Sequence, residues 1–153
     1  MVVGVISDTH GLLRPEAVAA LRGADHILHA GDVGDPAILD ALQAVAPLTA
    51  IRGNIDREGR CAELPATEAV ELAGSLVYLV HSVHDLDLHP RAAGIAVLVS
   101  GHSHKAEMRM QEGVLYVNPG SAGPRRFRLP ITVARLKLAP GAAPEAEIVS
   151  LLD

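Results

Sequence analysis

Short apolar runs, each closed by a polar turn, organise the chain from its first residues. Val2 to Ser7 is a β-branched run with the length of one buried strand. Pro15 to Arg22 reads as a helix, with proline at its start and Gly23 as its stop. His26 to Ala30 predicts a second strand. Asp35-Pro36 supplies an N-cap and first-turn pair for a helix running to about Ala44. Leu48 to Arg52 predicts a third strand. Strand and helix alternate, so these five elements predict a parallel sheet with crossover helices.

The second half changes rhythm. Ala69 to Leu72 and Leu76 to His81 flank Ala73-Gly74 and read as a hairpin. Val97 to Ser100 is a further buried strand. Met108 to Gln111 and Val114 to Asn118 flank Glu112-Gly113 as a second hairpin. Ile131 to Leu138 and Ala146 to Leu151, joined by a Pro- and Gly-rich loop, predict a third. There is no repeat, linker or low-complexity stretch, so one domain over residues 1–153 is expected.

Composition narrows the class. A chain of 153 residues buries roughly 70% of its unfolded surface, enough for a real core. With 49% hydrophobic and 20% charged residues it is a globular chain, and with 2% aromatics its core must be aliphatic. The formal net charge of -5 argues against duplex nucleic acid as a partner, since that needs a basic footprint. It leaves a small phosphorylated substrate open, because bound cations override net charge locally. Cys61 is the one cysteine, which excludes an internal disulfide and fits a reducing compartment. The opening residues lack a basic segment and cleavage site, and no apolar run reaches membrane-spanning length. The expectation is a cytoplasmic protein with no membrane partner.

The chemistry collects where the strands end. The first strand runs into Asp8 and His10, the second into Asp32, and the third into Asn54 and Asp56. The strand of the first hairpin ends at His81, and the next strand at His102 and His104. Carboxyl ends of strands are where open α/β sheets bind ligands. Asp, Asn and His without thiolate are the donor set for oxygen- and nitrogen-preferring divalent metals. Any one of these pieces is an ordinary turn or a packed histidine; five strands delivering them in sequence is a metal site.

Taken with Asn118 to Ser121, these residues resemble the calcineurin-like metallophosphoesterase superfamily, and within it the small single-domain prokaryotic phosphodiesterases. The motifs are Asp8-Thr9-His10, Gly31-Asp32, Gly53 to Asp56, His81, Gly101 to His104, and Asn118 to Ser121. The resemblance implies an α/β (α+β) fold: a four-layer α/β/β/α sandwich of two mixed β-sheets flanked by helices. It implies two divalent ions, Mn²⁺ first among them, with Ni²⁺, Fe²⁺, Co²⁺ or Zn²⁺ as other candidates. Asp8, His10, Asp32 and His104 would hold one ion. Asp32, Asn54, His81 and His102 would hold the other, with Asp32 bridging. Asp32, Asn54 and His102 are then expected at the catalytic centre itself.

The activity implied is hydrolysis of a small phosphate ester, a diester first, by hydroxide held between two ions. The alternatives are a phosphomonoesterase or pyrophosphatase, or a non-catalytic scaffold of the same fold. Homodimers are common among such relatives, and that assembly is open to this chain. Asp56 is expected to orient a ligand or its loop, and Asn118 to shape the loop under the site. His26 and His29 read as structural and His84 as a residue at the rim; Arg125 to Arg128 read as a solvated basic loop, with the alternative that Arg125 or Arg126 reaches toward an anionic substrate. Two positions depart from the family. Ile55 follows the Gly-Asn pair where many members carry a proton-donating histidine, and Ser82 follows His81 where glycine is usual. The segment from His81 to Gly101 is also short for a long helix.

Overall fold

The computed structural model describes residues 1–152. Its elements in chain order are β1 (Val2–Ile6), α1 (Pro15–Leu21), β2 (His26–His29), α2 (Pro36–Gln43), β3 (Leu48–Ala50), α3 (Gly59–Ala62), β4 (Thr67–Leu72), β5 (Ser75–Val80), β6 (Val97–Val99), β7 (Glu107–Gln111), β8 (Val114–Asn118), β9 (Thr132–Lys137) and β10 (Glu145–Ser150). A 3₁₀ turn occupies Val83–Asp85.

The strands form two mixed five-stranded sheets, ordered β10-β9-β1-β2-β3 and β4-β5-β6-β8-β7. In the first, β1, β2 and β3 are parallel, as their intervening helices require, and β9 and β10 add antiparallel. In the second, β5, β6 and β8 are parallel, with β4 and β7 antiparallel at its edges. Successive side chains on a strand face opposite ways. Val3, Val5, Leu28 and Ile51 therefore meet Val77, Leu79, Val97, Val99 and Val117 between the sheets. Ile6 and Ile27 face outward, under Leu21 of α1 and Ile38 and Leu42 of α2. Asp35 caps α2, accepting from the Ala37 N–H at 2.9 Å.

The elements expected from the sequence are all present, with ends shifted by a residue or two. Both short hairpins turn through two left-handed residues, Ala73-Gly74 (φ 49° and 80°) and Glu112-Gly113 (φ 50° and 78°). That pairing matches the right-handed twist of the flanking strands. The fourth layer holds no long helix. The short connection from β5 to β6 covers the outer face of the second sheet with the 3₁₀ turn and with Val83, Leu86, Leu88 and Ile95 packed on Val80, Leu98 and Val114. No helix among the described residues is long and apolar enough to cross a membrane.

Candidate metal centre

Five strand ends converge at one edge of the sandwich, and backbone hydrogen bonds zip their loops together. Asp8 N–H donates to Gly31 O (3.0 Å), His10 N–H to Asp32 O (2.9 Å) and Gly101 N–H to His81 O (2.9 Å). The turns are sharp. Asp8, His10, Asp32, His102 and His104 all sit in the left-handed backbone region, with φ of 55°, 46°, 57°, 70° and 63°. Each such residue costs about 1 kcal/mol or more, and strain of this kind collects where it aims functional groups. The two loops at Asp32 touch so closely that a side chain at Gly53 would collide with the Asp32 carboxylate.

The carboxylates lie at the centre. Asp8 is fully buried, and its Oδ2 accepts from Ser7 Oγ (2.6 Å) and the His102 N–H (3.1 Å). Its Oδ1 is buried without a hydrogen-bond partner, 3.4 Å from His104 Nε2, 3.7 Å from His10 Nε2 and 3.9 Å from His81 Nε2. Asp32 Oδ1 accepts from the Ile55 N–H at 3.1 Å. Its Oδ2 lies 3.3 Å from His10 Nε2 and 3.2 Å from His81 Nε2.

The histidines flank this axis in two pairs. His10 and His104 have ring centroids 5.3 Å apart, and so do His81 and His102. Asn54 Oδ1 lies 3.1 Å from His81 Nε2. The seven residues expected as ligands are thus brought together, with one imidazole pair on each side and Asp32 reaching both. Asp8, His10 and His104 each offer a donor atom within 4.8 Å of the others, as do Asp8, Asp32 and His81.

Electrostatics fit a cation. Burial acts to raise the Asp8 pKa, but the adjacent His10 and His104 imidazoles and the Ser7 hydroxyl outweigh it and hold the carboxyl far below the usual range. Asp32 is lowered too, against its own burial, by His81 and the Ile55 N–H. Asp8 raises the His10 pKa; burial lowers that of His81, and Asp32 and Ala30 O reverse it. The His81 Nδ1–H donates to Ala30 O at 2.7 Å, so a neutral ring turns an Nε2 lone pair toward two oxygens. A positive ion resolves that opposition, and metal-ligating histidines habitually donate their second N–H to a carbonyl or carboxylate. Asp8 Oδ1 and His10 Nε2, both buried and unpartnered, make the same demand.

The surrounding residues hold loops rather than ligands. Asp56 accepts three backbone N–H groups, from Val33 (3.1 Å), Gly34 (3.0 Å) and Gly53 (2.9 Å), pinning the Asp32 loop to the Asn54 loop. Asn118 Nδ2 donates to Gly101 O (3.0 Å) and Ser103 Oγ (3.1 Å), fixing the double-histidine loop from below. Ser121 Oγ donates to Asp8 O at 3.0 Å. His26 bonds Thr49 Oγ1 at 2.8 Å and stands apart from the site, and His89 pairs with Glu112 at 3.3 Å. His29 is structural, as expected: the Gly31 N–H donates to its Nδ1, and its Nε2–H donates to Thr9 Oγ1.

A cleft of about 340 Å³ opens beside His102, bounded by His84, Ser103, Lys105, Arg109, Tyr116 and others. Arg109 lies over the Tyr116 ring, 4.2 Å from its centroid. His84 is at the rim, where it was expected. Ser7, Lys105, Arg109 and Tyr116 escape the sequence reading. Ser7 alone leaves a trace, as a small polar residue wedged between an apolar strand and Asp8. Arg109 and Tyr116 reach the cleft only through the β7–β8 pairing, which matches them across the hairpin.

Comparison with known proteins agrees with this geometry. Residues 1–141 match the calcineurin-like phosphoesterase superfamily domain. A probable metallophosphoesterase of Methanothermobacter thermautotrophicus is 36% identical over 166 residues, covering 97% of this chain and 92% of that protein. The chain belongs to the calcineurin-like phosphoesterase superfamily. Among solved structures, one described as a novel archaeal phosphodiesterase superposes with a TM-score of 0.82 at 22% identity, over 99% of this chain and all 100% of the other. Vps29 of Chaetomium thermophilum superposes with a TM-score of 0.78 at 19% identity, over 97% of each. These two likenesses are likenesses of fold.

Proposed function

We propose that this chain is a phosphodiesterase that uses two divalent ions, held by Asp8, His10, Asp32 and His104 on one side and by Asp32, Asn54, His81 and His102 on the other. The observation that carries the reading is Asp32 Oδ2, which lies 3.3 Å from a nitrogen of one imidazole pair and 3.2 Å from a nitrogen of the other. When bound, such ions supply a hydroxide nucleophile at neutral pH and neutralise charge on the phosphate. Mn²⁺ is the first candidate for this mixed oxygen and nitrogen donor set, which also suits Fe²⁺, Co²⁺, Ni²⁺ and Zn²⁺.

The chain's own residues orient the reaction. Ser7 and the His102 N–H occupy Asp8 Oδ2, turning Oδ1 inward. Ala30 O fixes the tautomer of His81. Asn54 is neutral and exposed, so its amide N–H can turn to a phosphate oxygen while its carbonyl serves the ion. The cleft beside His102, with Lys105 and Arg109 on its wall, gives an anionic substrate room on one side of the centre. The single cysteine supports a cytoplasmic location.

The test is hydrolysis of a panel of mono- and diesters by metal-stripped protein with single metals added back. Activity restored by Mn²⁺ and greatest on diesters is expected. Absence of hydrolysis with every metal would overturn the reading in favour of a scaffold role, for which Ile55 in place of a proton donor is the one supporting feature in the sequence.

A further inference from the structure

Phe127 is the only phenylalanine in the chain, and 87% of it is exposed. Its backbone is left-handed, with φ 54°, a conformation bulky residues rarely adopt. It sits among Arg125, Arg126 and Arg128, a basic cluster in a chain of net charge -5. The loop carrying it is anchored at its start and closed on itself. Arg14 Nε and Nη2 donate to Gly123 O (3.3 and 3.2 Å), and Arg125 Nη1 donates to Leu129 O (3.2 Å). Ion pairs of arginine among the described residues involve Arg60, Arg109 and Arg135. Arg126 and Arg128 are left for another charge.

The loop stands beside the metal centre. Gly123 packs against the backbone of Asp8 and Thr9 so tightly that a side chain there would collide with both. A broad concavity of about 830 Å³ is lined by Lys105, Phe127, Arg128 and Leu129. Lys105 also lines the cleft beside His102. Two recesses therefore meet at Lys105, the residue after His104, one containing Tyr116 and Arg109 and the other containing Phe127 and Arg128. A phosphodiester has two substituents, and this arrangement offers each its own recess.

We infer that Phe127 is a stacking platform for a nucleobase, and that the substrates are nucleotide phosphodiesters whose phosphates are drawn in by Arg126, Arg128 and Lys105. An exposed aromatic ring framed by cations is what a flat, anionic ligand requires: stacking tolerates every base, and the guanidinium groups serve the phosphate. A simple alkyl diester, which has no base to stack, would use only half of this surface. The inference rests on the phosphodiesterase reading for its reaction, and on the loop alone for its binding.

Two measurements separate those parts. The chain has no tryptophan, so Phe127→Trp in Mn²⁺-loaded protein gives one emission signal at the platform. AMP should quench it in a saturable way, and ribose 5-phosphate, which lacks the base, should not. Equal responses to the two, or none, would overturn the platform. In kinetics, Phe127→Ala should lower kcat/KM for the p-nitrophenyl ester of thymidine 5′-monophosphate by about tenfold. Methyl p-nitrophenyl phosphate should change by less than about twofold, since it has no base to stack. Equal losses on both esters would also overturn the platform. If the unaltered protein hydrolyses neither ester, the phosphodiesterase reading fails and the quenching comparison decides the platform by itself.

Discussion

Ser7 Oγ donates a 2.6 Å hydrogen bond to Asp8 Oδ2, and this contact decides which oxygen of Asp8 faces the histidines. With Oδ2 held by Ser7 and by the His102 N–H, Oδ1 is left buried and unpartnered at the centre of the imidazoles. Ser7→Ala should let the Asp8 carboxylate rotate while leaving every other ligand in place. Residues that orient ligands typically contribute 10–100-fold in metal affinity, so a loss of about that size is expected. Competition with a chromophoric chelator measures it. Unchanged affinity would mean that the His102 N–H alone suffices.

Asp32 is placed to serve both imidazole pairs, through one oxygen 3.3 Å from His10 and 3.2 Å from His81. Asp32→Ala should therefore reduce activity more than His10→Ala or His81→Ala at saturating metal. Calorimetric titration should find two ions per unaltered chain and weakened binding of both in the Asp32 variant. Near-normal turnover in that variant would remove the bridging role.

Metal binding should depend on pH through His10 and His81. Both are raised above the ordinary 6.5, His10 chiefly by Asp8, and His81 by Asp32 and Ala30 O against its burial. In metal-free protein their protonated forms stabilise the fold below pH 6.5, and this contribution is lost as pH rises through the raised values. Metal must displace the same protons, so its apparent affinity should climb with pH above 6.5, with proton release on binding. Calorimetry in buffers of different ionisation enthalpy counts the protons released.

His29 behaves in the opposite sense. It is fully buried, and desolvation lowers its pKa to about 4. The unfolded chain takes up a proton near pH 6.5 while the folded one refuses it, so stability is lost as pH falls from 6.5 toward 4. The Gly31 N–H at Nδ1 demands a neutral ring protonated on Nε2, which passes the bond through Thr9 to Val33 O. Long-range ¹H–¹⁵N spectra should show that tautomer unchanged down to about pH 5. A ring that titrates near 6.5 would contradict this burial.

The donor residues were legible because each follows an apolar run whose strand length places it at the sheet edge, as Val97–Val99 places His102 and His104. What aims them was not. Left-handed turns at Asp8 and Asp32 come from loops zipped to one another, a tertiary effect that no local propensity encodes. The helix Gly59–Ala62 escaped because four residues carry no periodicity, and it opens on glycine. The role of Asp56 as a three-fold backbone acceptor likewise depends on β2 and β3 lying side by side.

Ile55 is where chemistry is most exposed to test. Its N–H is committed to Asp32 Oδ1 at 3.1 Å, and its side chain, 41% exposed, has no proton to give. General acid catalysis typically contributes ~10²–10⁴-fold, or about 3–5 kcal/mol of barrier. Without it, the departing oxygen leaves as an alkoxide or takes its proton from water. The protein should then strongly prefer acidic leaving groups such as aryl esters, with log kcat/KM falling steadily as leaving-group pKa rises. Ile55→His should flatten that slope, because it would put an imidazole directly after Asn54, on an exposed position of the same loop. A shallow slope in the unaltered protein would mean that another residue donates the proton. His84, which lines the cleft with His102, is then the donor to remove: His84→Gln should steepen the slope, whereas a solvent-facing bystander would leave it unchanged.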